Sequence, residues 1–179
     1  MTYRKRQNCS SVIICTLLFT LAASTAFASS TAATAAGLTT DQIRNLKVRV
    51  PSMGEGPGDW VKFRNGNGVK NRAVGWAKMK SVAVGFNGKK QFAVSHVTWQ
   101  GVEGSGYWNS LVLFKESNGK IKQTGTYTPM ISTADKVDIR KGRVYVHLSD
   151  PAEISYAKEN GGKSEGKGWM SIPISAFQE

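Results

Sequence analysis

The side chains that most often do chemistry are scarce in this chain: two histidines, twelve carboxylates and two cysteines, Cys9 and Cys15, both near the N-terminus. General-base and metal-ligand roles favour histidine, so His96 and His147 carry most of that potential. His147 has the strand parity of Tyr145, opposite Val144, Val146 and Leu148, and so points to solvent. Asp150 and Glu153 follow it, a grouping that could take a divalent cation; a structural histidine beside a Ser-Asp-Pro turn is the favoured reading. His96 lies within 92–99 and reads as a partly buried, hydrogen-bonded histidine. Gly162-Lys163-Ser164 ends like a phosphate-binding loop, but Ala157 stands where that motif needs its first glycine, so a surface turn is expected. Gly104-Ser105-Gly106 is one residue too tight for a nucleophile elbow, and Glu103 has no assignable carboxylate partner for glycoside hydrolysis. These residues assemble no reaction, and the expectation is a non-catalytic protein without metal or cofactor.

The cations say more. Between Asp59 and Glu103 there is no acidic residue, while Lys62, Arg64, Lys70, Arg72, Lys78, Lys80, Lys89 and Lys90 all fall there. Many stand two apart around an apolar neighbour: Lys47/Arg49 around Val48, Lys62/Arg64 around Phe63, Lys78/Lys80 around Met79, Lys120/Lys122 around Ile121. Residues two apart in a strand share a face, so adjacent strands of this kind would build one basic sheet face. That face is either a platform for an anionic polymer or lipid, or solvated cover that blunts edge pairing. Trp60, Phe63, Trp76, Phe86, Phe92 and Trp99 interleave with the charges, but alternation is expected to turn most of them inward, opposite the lysines. No RRM-type or zinc-finger spacing accompanies them, which makes nucleic acid the less favoured anion.

The elements that must position these residues are strands and turns. Thr39-Thr40-Asp41-Gln42 fits a capping box and opens a short helix to about Leu46. Beyond it, five Asn-Gly dipeptides, at Asn65, Asn67, Asn87, Asn118 and Asn160, mark chain reversals, because both residues tolerate positive φ. Strands are expected at 79–86 and 91–99, 107–115 and 120–127, and 137–140 and 143–148, the last pair flanking Lys141-Gly142. The expected fold is mainly β: a single antiparallel meander, or a bent open sheet or partial barrel, with one short N-terminal helix.

Arg4, Lys5 and Arg6 followed by the apolar stretch 11–21 and Ala26-Phe27-Ala28 make a signal peptide over 1–28, cleaved after Ala28. The apolar run is short for a membrane anchor, and neither cysteine follows the pattern that lipidation uses. A flexible lead-in over 29–38 then precedes one β-rich domain over 39–179. Cleavage removes both cysteines and three of the twelve net positive charges, leaving nine. A disulfide-free exported domain of this size fits a bacterial periplasm or exterior, with no transmembrane segment left after cleavage.

Between two of the strands, the 100–108 loop carries three glycines and exits through Tyr107 and Trp108, side chains favoured at binding surfaces. Here the chain resembles a known group. An Asn-Gly hairpin, this loop running into a Tyr-Trp strand, then Leu-Val-Leu-Phe-Lys-Glu-Ser-Asn-Gly-Lys and Val-Asp-Ile-Arg-Lys-Gly-Arg-Val-Tyr-Val, within 81–148, are similar to exported bacterial β-domains related to periplasmic inhibitors of invertebrate-type lysozyme. The resemblance implies a bent antiparallel sheet with Ser105, Gly106 and Tyr107 at an inhibitory tip; read from the loop itself, Glu103 and Trp108 join them as candidate partner-binding residues. The expected function is binding of an anionic envelope or extracellular partner through the basic face. Inhibition of a hydrolase through the loop is the alternative, and a hydrolase of unknown type comes third.

Overall fold

Thr39-Thr40-Asp41-Gln42 does open a helix, α1 (Thr40–Arg44): the Thr39 hydroxyl accepts from the Gln42 amide at 3.2 Å, and the Gln42 side chain accepts from the Thr39 amide at 2.9 Å. The computed structural model describes residues 37–51, 58–102, 106–128 and 131–178. The expected signal peptide, and all of the lead-in except Gly37 and Leu38, lie outside these residues. Leu38 is already buried, with its amide and carbonyl both bonded to the Gln91 side chain.

A seven-stranded antiparallel meander follows α1: β1 (Lys47–Val50), β2 (Asp59–Arg64), β3 (Asn67–Gly68), β4 (Val74–Asn87), β5 (Lys90–Gly101), β6 (Trp108–Ser117) and β7 (Lys120–Tyr127). Asn65-Gly66 and Asn118-Gly119 turn the chain with positive φ at both residues, as a two-residue hairpin requires. Asn87-Gly88 serves the β4–β5 reversal. The other two Asn-Gly dipeptides do different work. Asn67-Gly68 is itself the short strand β3, and Asn160-Gly161 ends a helix.

The meander bends into a nearly closed barrel. Thr124 is an extra residue in β7, between the pairs Leu113↔Gly125 and Phe114↔Gln123. Across the remaining seam the Gln123 carboxamide bonds the Arg49 amide and the Arg49 carbonyl, both at 2.9 Å. A carboxamide offers the same donor and acceptor as a peptide group, so one side chain stands in for the missing ladder between β7 and β1. The barrel is filled by Val48, Val61, Phe63, Ala77, Met79, Val97, Trp99, Val112 and Phe114. The mainly β, partly closed fold expected from the sequence is the one observed.

A second, four-stranded sheet covers part of the outer face. It comprises β8 (Lys136–Arg140), β9 (Arg143–His147), β10 (Lys163–Gly166) and β11 (Trp169–Pro173), in the order β10-β11-β9-β8. Phe92, Val94, Leu111 and Leu113 pack there against Ile139, Val144, Val146, Met170 and Ile172. Gly85 permits this crossing, since a Cβ at that position would lie 1.9 Å from the Ile139 carbonyl oxygen. Between β9 and β10 runs α2 (Pro151–Glu159), a helix the strand-and-turn reading leaves out. Its start is a helix signal, with Asp150 capping the Ala152 amide and Pro151 in the first turn. Its buried residues, however, are Glu153 and Ala157, so no stripe of large apolar side chains marks it. No helix among the described residues is long and apolar enough to cross a membrane.

Candidate functional site

Alternation along β2 turns Val61 and Phe63 into the barrel and Trp60, Lys62 and Arg64 outward. On β4 the same rule buries Ala77 and Met79 and exposes Trp76, Lys78 and Lys80. The register then decides whether these cations meet. Lys47 lies directly across from Lys62 on β1 and β2, and Arg49 across from Trp60. Arg64 pairs with Asn67, Asn67 with Lys78, Lys78 with Thr98 and Thr98 with Asn109, one outward row over five strands. Four strand gaps span about 19 Å at ~4.8 Å each.

The eight cations of the 59–103 interval therefore divide. Lys62, Arg64 and Lys78 share the face with Lys47. Lys70 and Arg72 border it from the β3–β4 loop, which is pinned beside β2 by the Val69 amide on the Lys62 carbonyl and by the Asn71 side chain on the Trp60 carbonyl. Lys80 is the extra residue of a β-bulge between Met79↔Val97 and Ser81↔His96. Lys89 and Lys90 sit at the far hairpin end, where Lys90 is eight residues along β5 from Thr98, about 26 Å at ~3.3 Å per residue. All eight are exposed, and none forms an ion pair among the described residues.

Two tryptophans also sit on this face. Trp60 is 50 % and Trp76 41 % exposed, and the Lys47 ammonium lies 5.6 Å from the Trp60 ring centroid. Of the interleaved aromatics expected to turn inward, Phe63 and Trp99 fill the barrel, while Phe92 is buried on the outer face under the second sheet. Trp60 and Trp76 share the parity of Lys62 and Lys78, so the alternation that exposes the lysines exposes the rings as well. Phe86 is exposed beside the hairpin end.

Of the 100–108 loop, Glu103 and Ser105 lie outside the described residues, while Gly106, Tyr107 and Trp108 are described and exposed. Val102 is tied back through its amide to the Ala73 carbonyl. The Tyr107 ring meets Trp76 edge to face, with centroids 5.7 Å apart and planes at 77°. Trp108 pairs with the barrel-filling Trp99, so consecutive aromatics leave the loop toward opposite faces of the sheet.

The histidines are committed elsewhere. His96 is fully buried, because β5 is covered on both faces; the sequence suggests only partial burial. Its Nε2 donates to Asn109 Oδ1 at 3.2 Å, and its Nδ1 has no hydrogen bond of normal geometry. Burial pushes its pKa down to about 4, against the Asn109 bond, which raises it, and with nearby Lys80, which lowers it further. His147 does face outward, with Nδ1 2.8 Å from Asp135 and Nε2 3.1 Å from the Lys167 carbonyl. The bond to His147 holds the Asp135 carboxyl below the usual carboxylate range. Asp150 caps α2, and the buried Glu153 accepts from the amides and hydroxyls of Ser132 and Thr133. Burial alone would raise the Glu153 pKa, but those bonds together hold it below the ordinary value. His147, Asp150 and Glu153 thus have three separate structural tasks, and no metal-binding group of His, Cys, Asp or Glu occurs among the described residues.

Gly162-Lys163-Ser164 follows a helix rather than preceding one, and Lys163 and Ser164 open β10 instead of forming a free turn. A separate cleft of about 240 Å³, walled by Thr126, Tyr127, Tyr156, Asn160 and Gln178 among others, contains none of the candidate site residues. Compared with known proteins, the chain matches no family model, no curated protein and no solved structure.

Proposed function

We propose that this is an exported, non-catalytic binding protein whose cationic sheet face engages an anionic polymer or lipid of the envelope or exterior. One observation carries the reading: Lys47 faces Lys62 across β1 and β2, and Arg64 and Lys78 share a row through Asn67, with no acidic partner among the described residues. Like charges directly across a strand pair, as Lys47 and Lys62 are, oppose folding by some ~0.2–1 kcal/mol. An anion laid across them would relieve that repulsion and neutralise several cations at once. Exposed Trp60 and Trp76 among them add contact area and a spectroscopic reporter.

The test is tryptophan emission of the purified protein titrated with heparin, lipopolysaccharide and single-stranded DNA at low and moderate salt. A salt-sensitive change is expected with at least one of them, and the double reversal Lys62→Glu/Lys78→Glu should weaken it about tenfold or more. Binding that ignores both salt and the double reversal would overturn the reading.

Tyr107 favours a second reading, since at 64 % it is the most exposed large hydrophobic side chain among the described residues. On that reading the protein inhibits a hydrolase through the 100–108 loop, in the manner of the lysozyme inhibitors it resembles. Inhibition would then survive the charge reversals and fail on Tyr107→Ala.

A further inference from the structure

The cationic strands and Tyr107, separate in sequence, meet on one surface. Trp76 pairs with Gln100 across β4 and β5, and the Trp99↔Trp108 pairing sets Tyr107 opposite Gln100 on the far side. The Tyr107 ring reaches over β5 to Trp76, so two exposed rings form a corner with planes at 77°. One row along lie Lys78, Thr98 and Asn109, and the row continues through Asn67 to Arg64.

The polar groups beside the corner are held in place. The buried Thr98 hydroxyl donates to Asn109 Oδ1 at 2.7 Å, and the buried His96 ring donates to the same oxygen. Both lone pairs of that oxygen are occupied, which fixes the carboxamide and leaves its Nδ2 hydrogens without a partner among the described residues. The surface therefore offers an aromatic corner and, in the next row, a preset amide donor alongside the cations.

We propose that this surface is one binding site for an acidic polysaccharide bearing carboxylate or sulfate groups. The proposal rests on the polyanion reading of the same face and names its ligand. The C–H groups on one face of a sugar ring carry partial positive charge and complement the negative face of an indole or phenol ring. The ring hydroxyls accept from an oriented amide, and the acidic substituents pair with Lys78, Arg64 and Lys62. A nucleobase would want a parallel slot open on both sides, whereas rings crossed at 77° leave a corner with one free wall. An anionic bilayer would want a continuous apolar wedge, and here the row next to the rings is Lys78, Thr98 and Asn109, polar throughout.

The test titrates the purified protein and its Trp76→Ala, Tyr107→Ala and Lys62→Glu variants. The ligands are heparin oligosaccharide, polygalacturonate, inorganic polyphosphate, oligo-dT and vesicles containing anionic lipid. Trp76 and Tyr107 are exposed, so the substitutions should leave far-ultraviolet circular dichroism unchanged. Loss of each ring should weaken binding of at least one of the two sugars roughly three- to tenfold and leave polyphosphate binding as it was. Lys62→Glu should weaken both. Sugar binding indifferent to both ring substitutions, or polyphosphate bound as tightly as the sugars, would overturn the sugar site and leave the polyanion reading standing. Tighter binding of oligo-dT or vesicles, lost on Trp76→Ala, would reassign the site to nucleic acid or membrane. No binding to any of the five would end both proposals.

Discussion

Glu153 gives the sharpest test of how the second sheet is held. Its carboxylate is buried on α2 and gathers two amides and two hydroxyls from Ser132 and Thr133, twenty residues earlier in the chain. That segment also carries Ile131 and Ala134, both buried in the core between the sheets. In Glu153→Ala the hydroxyls rotate to other partners, but two amides lose their acceptor, at ~1–3 kcal/mol each. Allowing for relaxation, the loss is about 4 kcal/mol, a large part of the total stability of a small domain. With a urea slope of ~2 kcal/mol/M, the unfolding midpoint should fall by about 2 M. Glu153→Gln keeps one acceptor oxygen and should fall between. The folded pKa lies below the unfolded one, so this stabilisation is complete above the ordinary glutamate range and is lost as pH falls through the folded value. Urea titrations should therefore separate wild type from Glu153→Ala fully near neutral pH, with the gap narrowing as pH falls below the ordinary glutamate range. Equal midpoints for all three proteins near neutral pH would refute the account.

Two further outcomes follow from the same physics. Gln123→Leu keeps the side-chain bulk but removes both bonds to the Arg49 backbone; it should cost about 2 kcal/mol and speed hydrogen exchange at the Arg49 amide, and unchanged exchange would deny the seam its role. His96 should stay neutral in the folded protein until about pH 4, while the unfolded chain takes up a proton near 6.5. Stability should then fall by about 3 kcal/mol between those values as pH drops, and hold level for this group outside them. A His96 ring resonance titrating near 6.5 would show that burial does not act as described.

Much of the barrel was legible because its signals are local. The strand expected at 120–127 is observed as Lys120–Tyr127, and the hairpins at Asn118 and Lys141 turn where positive φ is tolerated. The hairpin β10–β11 was missed although its Lys167-Gly168 reversal resembles Lys141-Gly142, because β10 is exposed throughout and carries no apolar alternation. Helix α2 was missed because the residue it buries most usefully is a glutamate. At the candidate site the cations were legible one strand at a time. What joins them is register, and register lies in the pairing of Asn67 with Lys78 and of Lys78 with Thr98, which no local pattern reports. The corner of Trp76 and Tyr107 is of the same kind, since two rings thirty-one positions apart meet only because β5 lies between them.

Strand β5 faces two interiors, with Phe92 and Val94 under the second sheet and Ala93, Val97 and Trp99 inside the barrel. Deleting one residue from its middle would exchange the two sets beyond the cut, sending an indole out of the barrel and a hydroxyl or imidazole in. Neither interior could absorb such a frameshift, so length changes in this lineage belong where the ladder already has slack: the turns, or the bulge at Lys80, which carries an unpaired residue without moving either core.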